Sequence, residues 1–219
     1  MSRSVYKLPW PSCALTLCTT ALLFVCATAH PQDPQAPASS PSKIVAYFPP
    51  GTISGQFFSE YLSYFGEPSL FAASQDPSVH SYRLDWLSSQ RGYVLTARIV
   101  LKSEGGAEVI AVEQSPKSGM PHRTQNSISA ADTKKFCELV DRAHFWTMPV
   151  EAEEDRRIYK FDPSPWVFEG VRHGSYHVVL RLSPRPSPFT DIVRFLTKDL
   201  AKLDDSAVPH AYSSPAKTP

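Results

Sequence analysis

Apolar residues recur at helical spacing in Phe57, Phe58, Tyr61, Leu62, Tyr64 and Phe65, and Gly66 and Pro68 stop the run. The spacing predicts a helix that ends there. The period then changes. Tyr82-Arg83-Leu84-Asp85-Trp86-Leu87 alternates between apolar and polar positions, and Tyr93 to Leu101 is β-branched and apolar. Val109 to Val112 follows Glu104-Gly105-Gly106, a hairpin signal. Three strands are therefore expected in this block.

Ser129-Ala130-Ala131-Asp132 has the form of a helix start, and Phe136, Leu139, Val140 and Ala143 then share one helical face before Pro149. The clearest hairpin joins Trp166–Arg172 to Ser175–Leu182 through His173-Gly174, where glycine supplies the positive φ of a tight turn. Ser187 caps a last helix with Pro188 at its first position, and Ile192, Phe195, Leu196, Leu200 and Leu203 form its apolar stripe. The order is helix, three strands, helix, two strands, helix. Clustered strands point to an α+β fold, an antiparallel sheet of about five strands with two to three helices packed on it.

The ends carry a different pattern. Arg3 and Lys7 precede an apolar run from Cys13 to Cys26, no acid occurs before Asp33, and Ala27-Thr28-Ala29 has the A-x-A form of a cleavage site. The run is about 14 residues, short of the roughly 20 that span a bilayer. Residues 1–29 read as a secretory signal peptide, with an uncleaved anchor as the alternative. Residues 30–50 read as a Pro/Ala/Ser-rich linker, 51–204 as a single domain and 205–219 as a disordered tail. The expected location is the periplasm or the medium.

Cleavage changes the composition. Loss of Arg3 and Lys7 turns the formal net charge of +1 into a slight acidic excess. That leaves no general basic surface for nucleic acid. Three of the four cysteines leave with the signal, and Cys137 alone cannot form an intramolecular disulfide. Beside apolar helix residues it reads as a small packed hydrophobe, with a reactive thiol as the alternative.

Candidate chemistry centres on the hairpin. With a two-residue turn, Gly170 faces His177, Glu169 faces Val178 and Trp166 faces Arg181. One face then carries Val167, Glu169, Val171, Tyr176, Val178 and Leu180, and Glu169 is its lone acid. A buried carboxylate must be paired or take a raised pKa. Glu169 is thus either half of a structural ion pair, or a water-exposed residue at the sheet edge, or the general acid or base of a hydrolase pocket with Arg83 and Tyr176. The opposite face offers Trp166, Phe168, His177 and Arg181 as an exposed aromatic-basic patch for a protein or envelope component. Trp166 and Arg181 would form a cation–π pair. His173 and His177 have metal-ligand spacing, but it crosses a turn and lacks a third ligand.

No G-x-S-x-G, H-E-x-x-H, C-x-x-C or G-x-G-x-x-G motif occurs, and no cofactor or metal is expected. These observations lead to a non-enzymatic binding or envelope-associated domain, with the hydrolase as the alternative.

Several segments carry a resemblance: Gly66-Glu67-Pro68-Ser69-Leu70, Tyr82-Arg83-Leu84-Asp85-Trp86-Leu87, Phe145-Trp146-Thr147-Met148-Pro149, Trp166-Val167-Phe168-Glu169-Gly170, Tyr176-His177-Val178-Val179 and Ser183-Pro184. Together, from Glu67 to Leu203, the chain resembles a family of uncharacterised exported bacterial proteins. It departs from that pattern at Asp85, where members carry a more apolar residue, and near Leu182, where they carry a tryptophan. The resemblance implies a bacterial envelope origin and no activity.

Overall fold

The computed structural model describes residues 46–52, 55–88, 92–152, 164–182, 184–204 and 209. The expected signal peptide, most of the linker and nearly all of the tail lie outside them.

Two helices come first, α1 (Gly55–Tyr64) and the single turn α2 (Leu70–Ala73), which Ser69 caps by accepting from the Ala72 N–H. Four strands follow: β1 (His80–Ser88), β2 (Tyr93–Leu101), β3 (Ala107–Gln114) and β4 (His122–Ile128). Then come α3 (Ala130–Arg142) and a 3-10 turn at Phe145–Thr147. The hairpin of β5 (Pro165–Arg172) and β6 (Ser175–Leu182) leads to α4 (Pro188–Arg194), which runs on as a π-helical turn over Phe195–Leu200. The fold is α+β.

The sheet has six strands in the order β4-β3-β2-β1-β5-β6, all antiparallel, against the five expected. The additional strand is β4. It is polar at nearly every position and mostly exposed, as an edge strand can be. Its sequence therefore lacks the apolar alternation that marks the other five. At the opposite edge, the Leu180 N–H donates to the Val150 carbonyl at 2.7 Å, so the segment around Val150 covers β6.

The β5–β6 register pairs Gly170 with His177, Glu169 with Val178 and Trp166 with Arg181. Its turn places His173 at φ 52° and Gly174 at φ 76°, the two left-handed residues of a primed turn.

Helices cover both faces of the sheet. On the first face, Tyr82, Leu84, Leu95, Ile99, Trp166 and Phe168 meet Phe136 and Val140 of α3 and Phe189, Ile192 and Leu196 of the last helix. Tyr82 stands at the centre, with ring centroids 5.4 Å from Phe136, 6.0 Å from Phe145 and 6.1 Å from Phe168. Gly170 makes this possible: a Cβ there would lie 2.7 Å from the Tyr82 ring and 2.8 Å from the Phe145 ring. On the second face, Val167, Val178, Leu180 and Leu182 pack under Phe58 and Leu62 of α1 and under Phe48. Phe48 belongs to the stretch read as linker, so the packed part of the chain begins before residue 51. Pro209, from the stretch read as tail, is also buried. Among the described residues no helix is long and apolar enough to cross a membrane.

Candidate functional site

The second face carries charge as well as apolar surface. Alternation along β1 puts Arg83 and Asp85 on it, and pairing sets Arg83 directly opposite Glu169 of β5 and Arg98 of β2. Arg83 and Glu169 have no exposure at all, and Asp85 keeps 3%. The Arg83 guanidinium donates to Glu169 Oε1 from Nε at 2.9 Å and from Nη2 at 2.5 Å. Its Nη1 donates to the Pro68 carbonyl at 2.6 Å. The Tyr176 hydroxyl donates to Glu169 Oε2 at 2.9 Å. Glu169, Arg83 and Tyr176 are thus in direct contact. Glu169 is neither alone nor at a wet sheet edge.

Asp85 and Glu67 complete the cluster, and the sequence reading gave neither a role in a site. Thr96, opposite Asp85 on β2, donates to Asp85 Oδ1 at 2.8 Å. Asp85 Oδ2 lies 3.3 Å from Arg83 Nε, an ion-pair contact whose geometry is not that of a hydrogen bond. Glu67, just after α1 and 3% exposed, accepts from Arg98 Nε at 2.7 Å and from Arg123 Nη1 at 3.2 Å. Two arginines side by side on neighbouring strands would repel. Glu169 and Glu67 offset that repulsion, one for each arginine. Through Glu67 and the Pro68 carbonyl, arginines from β1, β2 and β4 fasten the α1–α2 connection to the sheet.

The electrostatics follow from burial. Burial alone would lower the Arg83 pKa, but Glu169 and Asp85 outweigh it and keep the guanidinium charged. Burial, then Glu169, pushes the Tyr176 hydroxyl far up, so it remains a donor. Burial raises Asp85 from 3.8 to about 7. Arg83 opposes the rise, Glu169 and Glu67 add to it, and the Thr96 bond lowers it. One guanidinium faces two carboxylates here. Glu169 takes both of the hydrogen bonds that Arg83 donates to a carboxylate, which leaves Asp85 the weaker partner.

A general acid or base must reach the proton it moves on a substrate. Glu169 has no exposed surface, and its oxygens are filled by Arg83 and Tyr176. Arg83 and Glu169 as they stand are closed off from solvent, and each is occupied by the other. Alternation puts Arg83 and Asp85 on one face of β1, and the β1–β5 pairing brings that face to Glu169.

The expected aromatic-basic patch does not form. Trp166 and Phe168 are 2% and 0% exposed, because α4 lies over them and places Phe189 6.4 Å and 6.1 Å from their rings. Arg181 stands 5.9 Å from the Phe189 ring and donates to the carbonyls of Val150 and Pro149 at 3.2 and 3.1 Å. His177 faces away from Glu169, half-buried, with Nε2 3.0 Å from the Met148 carbonyl. The residues expected to bind a partner therefore fill the core and fasten the chain after the 3-10 turn.

Among the described residues no three of His, Cys, Asp and Glu come together to hold a metal ion. Cys137 is partly buried against the first core, and burial raises its pKa, which keeps it a thiol.

An open cleft of about 410 Å³ lies at the turn end of the β5–β6 hairpin, lined by Trp146, Arg172, His173, Ser175, Tyr176 and His177. No protein-family model, curated protein or solved structure matches this chain.

Proposed function

We propose that this is an exported bacterial envelope protein whose folded part is a non-enzymatic binding domain. Export rests on residues 1–29, whose basic start, apolar run and A-x-A end suit a secretory signal. The mass of the chain recovered from a periplasmic extract checks it: a chain beginning at His30 is expected, and one retaining Met1 in the cytoplasm contradicts export.

The single observation that carries the non-enzymatic reading is the closure of the Glu169 network. The groups a hydrolase would need to expose are spent on one another and on the Pro68 carbonyl. Glu169→Gln tests it. The substitution keeps the shape and removes the charge, so Arg83 loses a charge-assisted bond. A stability loss of about 1–3 kcal/mol is expected by thermal unfolding, with no turnover by wild type or variant across a panel of ester and glycoside substrates. The hydrolase reading expects the reverse, namely lost turnover at unchanged stability.

A further inference from the structure

The cleft at the hairpin turn holds a partly exposed arginine. The side chain of Arg172, the last residue of β5, is 38% exposed. Its guanidinium carbon lies over the Trp146 ring, 5.1 Å from the centroid, and Asp141 of α3 lies 3.9 Å from its Nη1. That contact holds the charged end of Arg172 beside the ring, and a guanidinium suits a planar, two-point acceptor.

The neighbours suit an anion. His173 and Ser175 are exposed beside Arg172 at the turn, and the His80 ring lies 6.2 Å from that of His173. Burial first, then Arg172 and His173, pushes the His80 pKa down, as a locally positive field does. Asp141, the acid that meets Arg172, is itself 66% exposed.

We propose that this cleft binds a small oxyanion, a carboxylate or a phosphate ester, with Arg172 as its anchor. This rests on the reading of the domain as a binding module and names the ligand chemistry of that module. The oxyanion takes the Arg172 guanidinium in place of Asp141 at 3.9 Å, and the Ser175 hydroxyl donates to it. Tyr176 forms a wall of the cleft while its hydroxyl holds Glu169.

Amide and indole NMR titration of the whole mature chain with inorganic phosphate, and separately with acetate, tests the proposal. Saturable shifts confined to Trp146 and residues 172–177 are expected. Arg172→Ala weakens binding by about tenfold or more, as loss of a charge-assisted fork should. Arg172→Lys keeps the charge but not the fork, and gives an intermediate loss. Asp141→Asn tightens binding by roughly two- to fivefold, since a competing carboxylate is gone. Co-sedimentation with phosphatidylglycerol vesicles, compared with phosphatidylcholine vesicles, separates the sources. Arg172-dependent binding to the former places the oxyanion on a lipid headgroup, and phosphate binding without it places the oxyanion on a free ligand. Absence of saturable shifts with either anion, or equal shifts in wild type and Arg172→Ala, overturns the proposal. That failure is distinct from failure of the binding-module reading, which the turnover of Glu169→Gln decides.

Discussion

Arg83→Met lowers the free energy of unfolding by roughly 3–5 kcal/mol, the range for removing one partner of a buried ion pair. Arg83 has no exposed surface and satisfies two groups at once, the Glu169 carboxylate and the Pro68 carbonyl. Methionine fills most of the volume, so the loss is not chiefly that of a cavity. What remains is an acid at position 169 held only by Tyr176, and a buried carbonyl with its donor gone. Pro68 links α1 to α2, so the α1–α2 layer loses a fastening as well. Denaturant unfolding monitored by far-UV circular dichroism reads the effect. A loss below about 1 kcal/mol would mean that water reaches Glu169, since exposed pairs are worth no more than that.

Asp85 sets the second large effect, and its sign is opposite to the usual one for an acid. Its folded pKa is about 7 against an ordinary 3.8, so between those values the folded chain holds a proton that the unfolded chain has released. Stability contributed by Asp85 is therefore present below pH 4, falls as pH rises toward 7, and stays lost above it. A difference of that size corresponds to ~4 kcal/mol at most. The groups facing Asp85 are Arg83 on its own strand, Thr96 from β2, Glu169 from β5 and Glu67 from the α1–α2 connection. His80 and His177 have lowered pKa values through burial, and they tilt the profile the other way as pH falls below 6.5. Comparison with Asp85→Asn isolates the Asp85 contribution. Asparagine can turn its oxygen to Arg83 and its NH2 to Thr96, as the protonated acid would. The variant should be more stable than wild type at pH 8 and equal to it near pH 4. A variant less stable than wild type at pH 8 would show that ionised Asp85 stabilises the fold.

The same face explains what the sequence made legible and what it hid. The β5–β6 hairpin was readable because a two-residue turn with Gly174 fixes the register, and the register fixes every facing pair. The cap at Ser187 was equally local, and it closes a capping box with Thr190. Strand β4 was hidden because an edge strand needs no apolar face. The patch of Trp166, Phe168, His177 and Arg181 failed for a different reason. Alternation says which residues share a face, and it does not say which layer covers that face. Here α3 and α4 cover the aromatic side, and α1 with α2 covers the side bearing Glu169. Polar positions in β1 normally mark the solvent side of a strand. Arg83 and Asp85 instead lie beneath the Glu67-Pro68 connection, a tertiary contact with no signature within β1 itself.

The cleft residues show the same limit. Arg172 and His173 flank a turn, where charged residues commonly meet only water. Trp146 comes from the 3-10 turn after α3, far away in sequence, and its ring gives Arg172 a fixed place. Helix packing made that meeting, and strand alternation alone could not foresee it.

The central claim is that the charged groups of the second face exist for one another and not for a substrate. A double-mutant cycle of Arg83→Met and Glu169→Leu measures this most directly. Each single change leaves a buried group without its partner, and the double change removes both. The double variant is expected to cost less than the sum of the two single losses by about 2–3 kcal/mol, the coupling of residues in direct contact. Additivity within about 0.5 kcal/mol would contradict the account, because it would mean that Arg83 and Glu169 do not depend on each other.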